Sequence, residues 1–228
     1  MVNLFVFWTQ MICFRPYFYQ KQWQKCGGGC DIVYGKTEWG SDFCVEKTNY
    51  SDKQAHCKDY DVSTEDSKLS FLKRLLFYNC GDFAYDGFQP EIWCKLYRRA
   101  LLEGIFFDEK LKFGEDMIFS ALCVMKAKKI TIVNSVWYRY YQNTQSVMHT
   151  YSPTRVEYYK KLYDAFSHFC EENTCTALLP IRTFYLMGEM LWSCIDIVDS
   201  KELIRIEREF YHHGNVSAVL RTIENIDN

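Results

Sequence analysis

A change of pattern at Ser152-Pro153 limits the fold more than any other feature of this chain. Ahead of it, short apolar runs of strand length alternate with stretches whose apolar residues recur at helical spacing. Behind it only the helical spacing continues. Strands mixed with helices, then helices alone, predict an α/β core with a helical C-terminal extension, divided into 1–150 and 151–228. Of the 228 residues, 48% are hydrophobic and 25% charged, enough apolar material for a buried core and against disorder over most of the length.

In the first part, Leu4-Phe5-Val6-Phe7-Trp8 reads as a buried strand and Asp31-Ile32-Val33-Tyr34-Gly35 as a second. Residues 37–63 are polar and irregular, fitting a surface excursion or short strands. Thr64-Glu65-Asp66-Ser67 carries helix-start residues, and Leu69, Leu72, Leu75 and Leu76 follow at helical spacing, so a helix should run to about residue 79. A helix is expected over 91–103 and another from Glu115 to about Ala127, with a short strand or extended piece at 105–107 between them. Ile130-Thr131-Ile132-Val133 is a strand that extends toward Tyr138. In the second part, helices are expected over 156–170, 177–198, 201–211 and 216–226.

Charge and cysteine content narrow the function classes. Lys and Arg number 27 against 29 Asp and Glu, a net charge of −2, so there is no electrostatic case for a nucleic-acid partner. Eleven cysteines, odd in number and irregular in spacing, do not form a disulfide framework and fit reduced thiols in the cytoplasm. Cys26-Gly27-Gly28-Gly29-Cys30 has the outline of a metal knuckle but lacks a second close-spaced pair, and reads as a flexible glycine turn. The apolar start is cut short by Arg15 and Pro16, and 181–198 is interrupted by Arg182, Glu189 and Asp196, so no transmembrane segment is expected. The aromatic N-terminus leaves open a peripheral position at the inner face of the membrane. Aromatic residues make up 18% of the chain, an excess that suits a cleft for polar, ring-shaped ligands as well as a core.

The adjacent acids Glu115-Asp116 are the strongest lead to chemistry. They follow Gly114 at a helix start, where a carboxylate either caps the helix or projects into a cleft as a general base. Around them, Trp93-Cys94-Lys95-Leu96-Tyr97-Arg98 precedes Leu102-Glu103-Gly104-Ile105-Phe106-Phe107 and Phe113-Gly114-Glu115-Asp116. Tyr138-Arg139-Tyr140 and Ser146 follow. In this order the stretch from Gln89 to Met148 resembles the acceptor-side half of family 2 inverting glycosyltransferases, with their W-x-K-L-Y-R, F-x-E-x-L-x-x-G-E-D and Y-x-Y-x-x-x-x-x-S blocks.

The resemblance implies a GT-A-like mixed sheet with flanking helices. It also implies transfer of a sugar from a nucleotide-sugar donor to a glycan acceptor, as in the building of surface polysaccharide. Asp116 would be the base and Glu115 would orient it or bind the acceptor. Trp93 would be a platform for a sugar ring, Lys95 would meet a hydroxyl or phosphate, and Tyr138 and Ser146 would lie on the closing segment. Against these roles, Trp93 and Tyr138 also fit as core aromatics and Lys95 as a solvated helix charge.

The family also has a nucleotide-binding first half ending in an acidic D-x-D turn, whose carboxylates hold a divalent cation, Mn or Mg. By the resemblance that turn falls on Phe7-Trp8-Thr9-Gln10, which has no acid, and the first acid in the chain is Asp31. The expectation is therefore a truncated sheet without identified metal ligands, whose open edge could lead to self-association. Either the chain is a piece of a longer gene, inactive alone, or it works without a donor site as a glycan-binding or interaction module.

Overall fold

The computed structural model describes residues 4–5, 23–24, 29–40, 57–76, 90–141, 152, 154–195 and 197–224. They divide into two compact units, one of residues 1–106 and 119–142, the other of 107–118 and 143–228. Among the described residues the fold is mixed α/β, with a five-stranded sheet in the first unit and helices in both.

The strands are β1 (Leu4–Phe5), β2 (Ile32–Gly40), β3 (Cys57–Asp61), β4 (Lys95–Arg98) and β5 (Lys129–Tyr141). Their spatial order is β1-β4-β2-β5-β3. β2 runs parallel to β5 and antiparallel to β4, and the outer strands β1 and β3 pair antiparallel to β4 and β5. Ile32, Val33 and Tyr34 of β2 are fully buried in succession, as an interior strand covered on both faces requires. Beyond Tyr34 the pairing with β5 shifts register, and β2 runs on to Gly40 through residues expected to be irregular.

Asp31 fixes the start of β2 against both neighbours. One carboxylate oxygen accepts the N–H groups of Lys128 and Lys129 at 2.7 and 3.1 Å. The other meets Arg98 at 3.2 Å at the end of β4. Helix α1 (Glu65–Leu76) packs Phe71, Leu72, Leu75 and Leu76 inward, and Phe71 meets the Tyr34 and Tyr60 rings edge-on at 5.9 and 5.5 Å. Thr64 caps it reciprocally with Ser67: the Ser67 N–H donates to Thr64 Oγ1 and the Thr64 N–H to Ser67 Oγ.

The helix expected over 91–103 is not formed. A turn at 90–94 leads into β4, followed by a single 3₁₀ turn, Arg99–Leu102. Cys94 stands at φ 60°, a left-handed conformation that a helix cannot pass through. Lys95, Leu96 and Tyr97 are then buried one after another, which a strand between β1 and β2 achieves and a helix does not. Residues 105–107 form no strand.

Helix α2 (Glu115–Lys126) begins in the second unit and continues in the first. In the second unit follow α3 (Arg155–Glu172), a 3₁₀ turn (Thr176–Leu178), α4 (Leu179–Trp192), α5 (Ser200–Tyr211) and α6 (Val216–Glu224). α3 buries Val156, Tyr159, Tyr163, Phe166 and Cys170, the three-and-four spacing of a helix stripe. Pro180 stands in the first turn of α4, where its missing N–H costs no bond. Asp199 caps α5 by accepting the Glu202 N–H at 2.8 Å. No helix among the described residues is long and apolar enough to cross a membrane.

Candidate functional site

The turn that presents Glu115 and Asp116 belongs to the second unit. Phe113 ahead of it packs edge-on against Tyr158 and Tyr159 of α3, ring centres 6.4 and 4.7 Å apart. Gly114 then turns the chain at φ +75°, and a Cβ there would lie 2.6 Å from Leu162 Cδ2. Both the left-handed backbone and the close approach of α3 exclude a side chain at this position. The Gly114 carbonyl accepts the first helical bond, from the Ile118 N–H at 3.3 Å.

The two carboxylates thus start the first turn of α2, where the helix dipole favours negative charge. Asp116 Oδ1 accepts the Met117 N–H at 2.8 Å. Glu115 is half-buried, and its Oε2 has no hydrogen-bond partner among the described residues. Burial, aided by the charge of Asp116 and opposed by a backbone hydrogen bond, holds Glu115 above its ordinary value.

In the first unit, Trp93 is half-buried and packs against a core cluster of Trp23, Cys30, Val33, Cys94, Leu96, Val133 and Trp137. Lys95 is buried, with 1% of its surface exposed. Its ammonium donates to the Glu91 carbonyl and to Ser120 Oγ at 3.3 Å, and lies 4.7 Å from the centre of the Tyr34 ring. Ser120 Oγ in turn donates to the Pro90 carbonyl. The turn carrying Trp93 is thereby tied through two carbonyls to one residue of α2.

Tyr138 lies in β5 opposite Thr37, with its side chain outside the described residues. Ser146 lies outside them altogether, as does the 7–10 segment to which the acidic turn was assigned. The sequence reading did not single out Ser120 or Asp31. Ser120 carried a signal, a polar residue four positions after Asp116 on an otherwise apolar face, but its partners lie about 25 to 30 residues away in sequence and only the fold joins them.

No group of three or more His, Cys, Asp or Glu that could hold a metal ion occurs among the described residues. These residues therefore do not fit the divalent cation that the resemblance implies.

No protein-family model matches the chain. Over 91 residues it is 30% identical to the uncharacterized glycosyltransferase EpsJ of Bacillus subtilis (strain 168); the match covers 37% of this chain and 26% of that protein. The similarity is thus to a glycosyltransferase, over about a quarter of the relative's length. Among solved structures, S. aureus TarS 1–349 in complex with UDP-GlcNAc is 13% identical, at a TM-score of 0.39 over 87% of this chain and 44% of that one. A second TarS structure is 12% identical, at 0.41 over 90% of this chain and 36% of that one. Both scores lie below the level that defines a common fold.

Proposed function

We propose that this chain is the acceptor-side part of a glycosyltransferase and acts by inverting displacement. The observation that carries this reading is the Gly114-Glu115-Asp116 turn, a left-handed glycine seated on Leu162 that sets two adjacent carboxylates at the start of α2. The ordered sequence blocks around it and the partial similarity to a glycosyltransferase support the same reading.

In this mechanism Asp116 takes the proton of an acceptor hydroxyl as that oxygen attacks the anomeric carbon of a nucleotide-sugar. The bond to the nucleoside diphosphate breaks on the opposite face, so the product has the inverted anomeric configuration. A base of this kind must come within about 3 Å of the proton it removes. The Met117 N–H holds one oxygen of Asp116. Glu115, beside it in the same turn, orients Asp116 or binds the acceptor. Trp93 offers a ring for the apolar face of a sugar, while Lys95 and Ser120 hold the turn that carries it. Tyr138 and Ser146 belong to the segment that closes over the acceptor.

The test is release of nucleoside diphosphate from a panel of nucleotide-sugars, with and without bacterial glycan acceptors, followed by the anomeric configuration of the product. Acceptor-dependent release with inversion is expected when the chain is joined to a nucleotide-binding part, and there Asp116→Asn should bind glycan as well but turn over about a thousandfold less, within the range for loss of a general base. Retained turnover in that variant removes Asp116 as base. Saturable glycan binding with no release from any donor assigns the chain to the glycan-binding class instead.

A further inference from the structure

Helix α3 ends in a Schellman motif whose two packing positions are both cysteines. Thr174 is left-handed at φ 52°. The Cys175 N–H donates to the Cys170 carbonyl at 2.9 Å and the Thr174 N–H to the Glu171 carbonyl at 3.4 Å, the two bonds that define this cap. The cap brings together the side chain of the third helical residue from the end and that of the second residue beyond the helix. Here these are Cys170 and Cys175, exposed by 0% and 1%. With their backbones joined at 2.9 Å, standard bond lengths keep the two Cα atoms within about 7 Å, near the upper end of the span a disulfide bridges.

The neighbouring Cys170 thiol holds Cys175 below the ordinary thiol value. Two other buried thiols differ: burial pushes Cys94 up to about 11 and Cys123 up to about 12, which keeps them protonated and inert at neutral pH. Above the pair the turn is open, since Glu171, Glu172, Thr174, Thr176 and Ala177 are exposed. Helix ends fray, and opening of this last turn would expose the pair to a small reagent.

We propose that Cys170 and Cys175 form a thiol–disulfide modification site at the C-terminal cap of α3, oxidised by a small-molecule disulfide of the glutathione class. The Cys175 thiolate attacks one sulfur of glutathione disulfide, forming a mixed disulfide and expelling one glutathione thiolate. Cys170 gives up its proton and attacks Cys175 Sγ, closing the protein disulfide and expelling the second glutathione thiolate. Two protein thiols lose two protons and two electrons, and glutathione disulfide takes them up as two glutathione thiols. The bridge ties the last turn of α3 to the turn that leads into α4. The backbone bond that brings the two residues together is already made, so no other element has to move.

The test uses the whole chain, reduced and then exposed under native conditions to glutathione disulfide, with free thiols alkylated after denaturation. Trypsin releases residues 162–182, a peptide whose only cysteines are Cys170 and Cys175. The expected product is this peptide unalkylated and two hydrogens lighter than the dithiol, while the exposed Cys57 is alkylated or carries glutathione. The peptide alkylated at both positions, at an oxidant level that converts Cys57, overturns the proposal. In Cys170→Ser the Cys175–glutathione adduct should accumulate, and in Cys175→Ser the Cys170 thiol should remain alkylatable. A glutathione adduct on Cys170 formed as fast as on Cys57 would overturn the order of attack.

Discussion

Lys95 Nζ stands 3.3 Å from Ser120 Oγ, and both side chains are buried, at 1% and 0% exposure. A buried ammonium is stable only with acceptors around it, and here they are the Ser120 hydroxyl, the Glu91 carbonyl and the face of the Tyr34 ring. Replacement by methionine keeps the volume and removes the charge, leaving the carbonyl and hydroxyl without their donor. Lys95→Met should lose about 1–3 kcal/mol of stability, and Ser120→Ala about 1 kcal/mol, in urea unfolding. The double variant should lose less than the sum, because the two changes delete one shared bond. Strict additivity would show that the pair is not coupled.

Glu115 is held above its ordinary value of 4.5, chiefly by burial. An acid whose value is raised on folding binds protons more tightly in the native state, so it supports the fold in acid and withdraws that support as pH rises. The loss begins near 4.5 and is complete once the pH exceeds the raised native value. Glu115→Gln should therefore melt above the wild type at pH 7, with the difference closing at pH 4. Thermal midpoints of both proteins across that interval decide it; a difference that grows in acid contradicts the assignment.

Gly104 and Gly114 share φ +75° but differ in surroundings: an added Cβ at Gly104 meets nothing within 4 Å, whereas at Gly114 it meets Leu162 at 2.6 Å. Gly104→Ala should cost about 1–2 kcal/mol, the backbone term alone. Gly114→Ala adds steric overlap with a buried side chain and should cost about 2–5 kcal/mol. Equal losses in denaturant unfolding would mean that the packing of α3 on this turn is immaterial.

Asp31 serves three groups at once, the N–H groups of Lys128 and Lys129 and the Arg98 guanidinium. Asp31→Ala leaves two backbone donors at the start of β5 without their acceptor and should cost about 2–4 kcal/mol. Arg98→Ala removes only a partly exposed ion pair and a hydrogen bond to the Cys30 carbonyl, and should cost about 1 kcal/mol. Hydrogen exchange at Lys128 and Lys129 reports the difference directly: faster in the first variant, little changed in the second.

The helices were legible wherever one face alone had to be buried. Phe71, Leu72, Leu75 and Leu76 in α1, and Val156, Tyr159, Tyr163 and Phe166 in α3, mark their stripes by spacing alone. The start of α2 was legible too, because Gly114 followed by two acids is a helix opening in its own right. The 91–103 segment was not. Leu96, Tyr97 and Leu101 fit a helical stripe as well as a strand, and the spacing of a short apolar run does not separate the two. What separates them is the pairing of Lys95, Leu96 and Tyr97 with Tyr34, Val33 and Ile32, roughly sixty residues earlier. The same holds for β2 beyond Gly35, whose polar residues are strand because β5 lies alongside.

By itself the sequence determined the mixture of strands and helices, the positions of most helices, and the carboxylate pair at 115–116. Those features follow from local periodicity, capping and backbone preference, all carried by neighbours in the chain. Only the tertiary structure decided that Lys95 is a buried strand residue rather than a charge in solvent, that Ser120 is its partner, and that Asp31 clamps two strands. It also decided that Cys170 and Cys175 meet, because a left-handed Thr174 turns the chain back on the helix end. The physical reason is common to all four: burial and hydrogen bonding are satisfied by groups that the chain brings together only on folding, and a polar residue's role depends on which of those groups it finds.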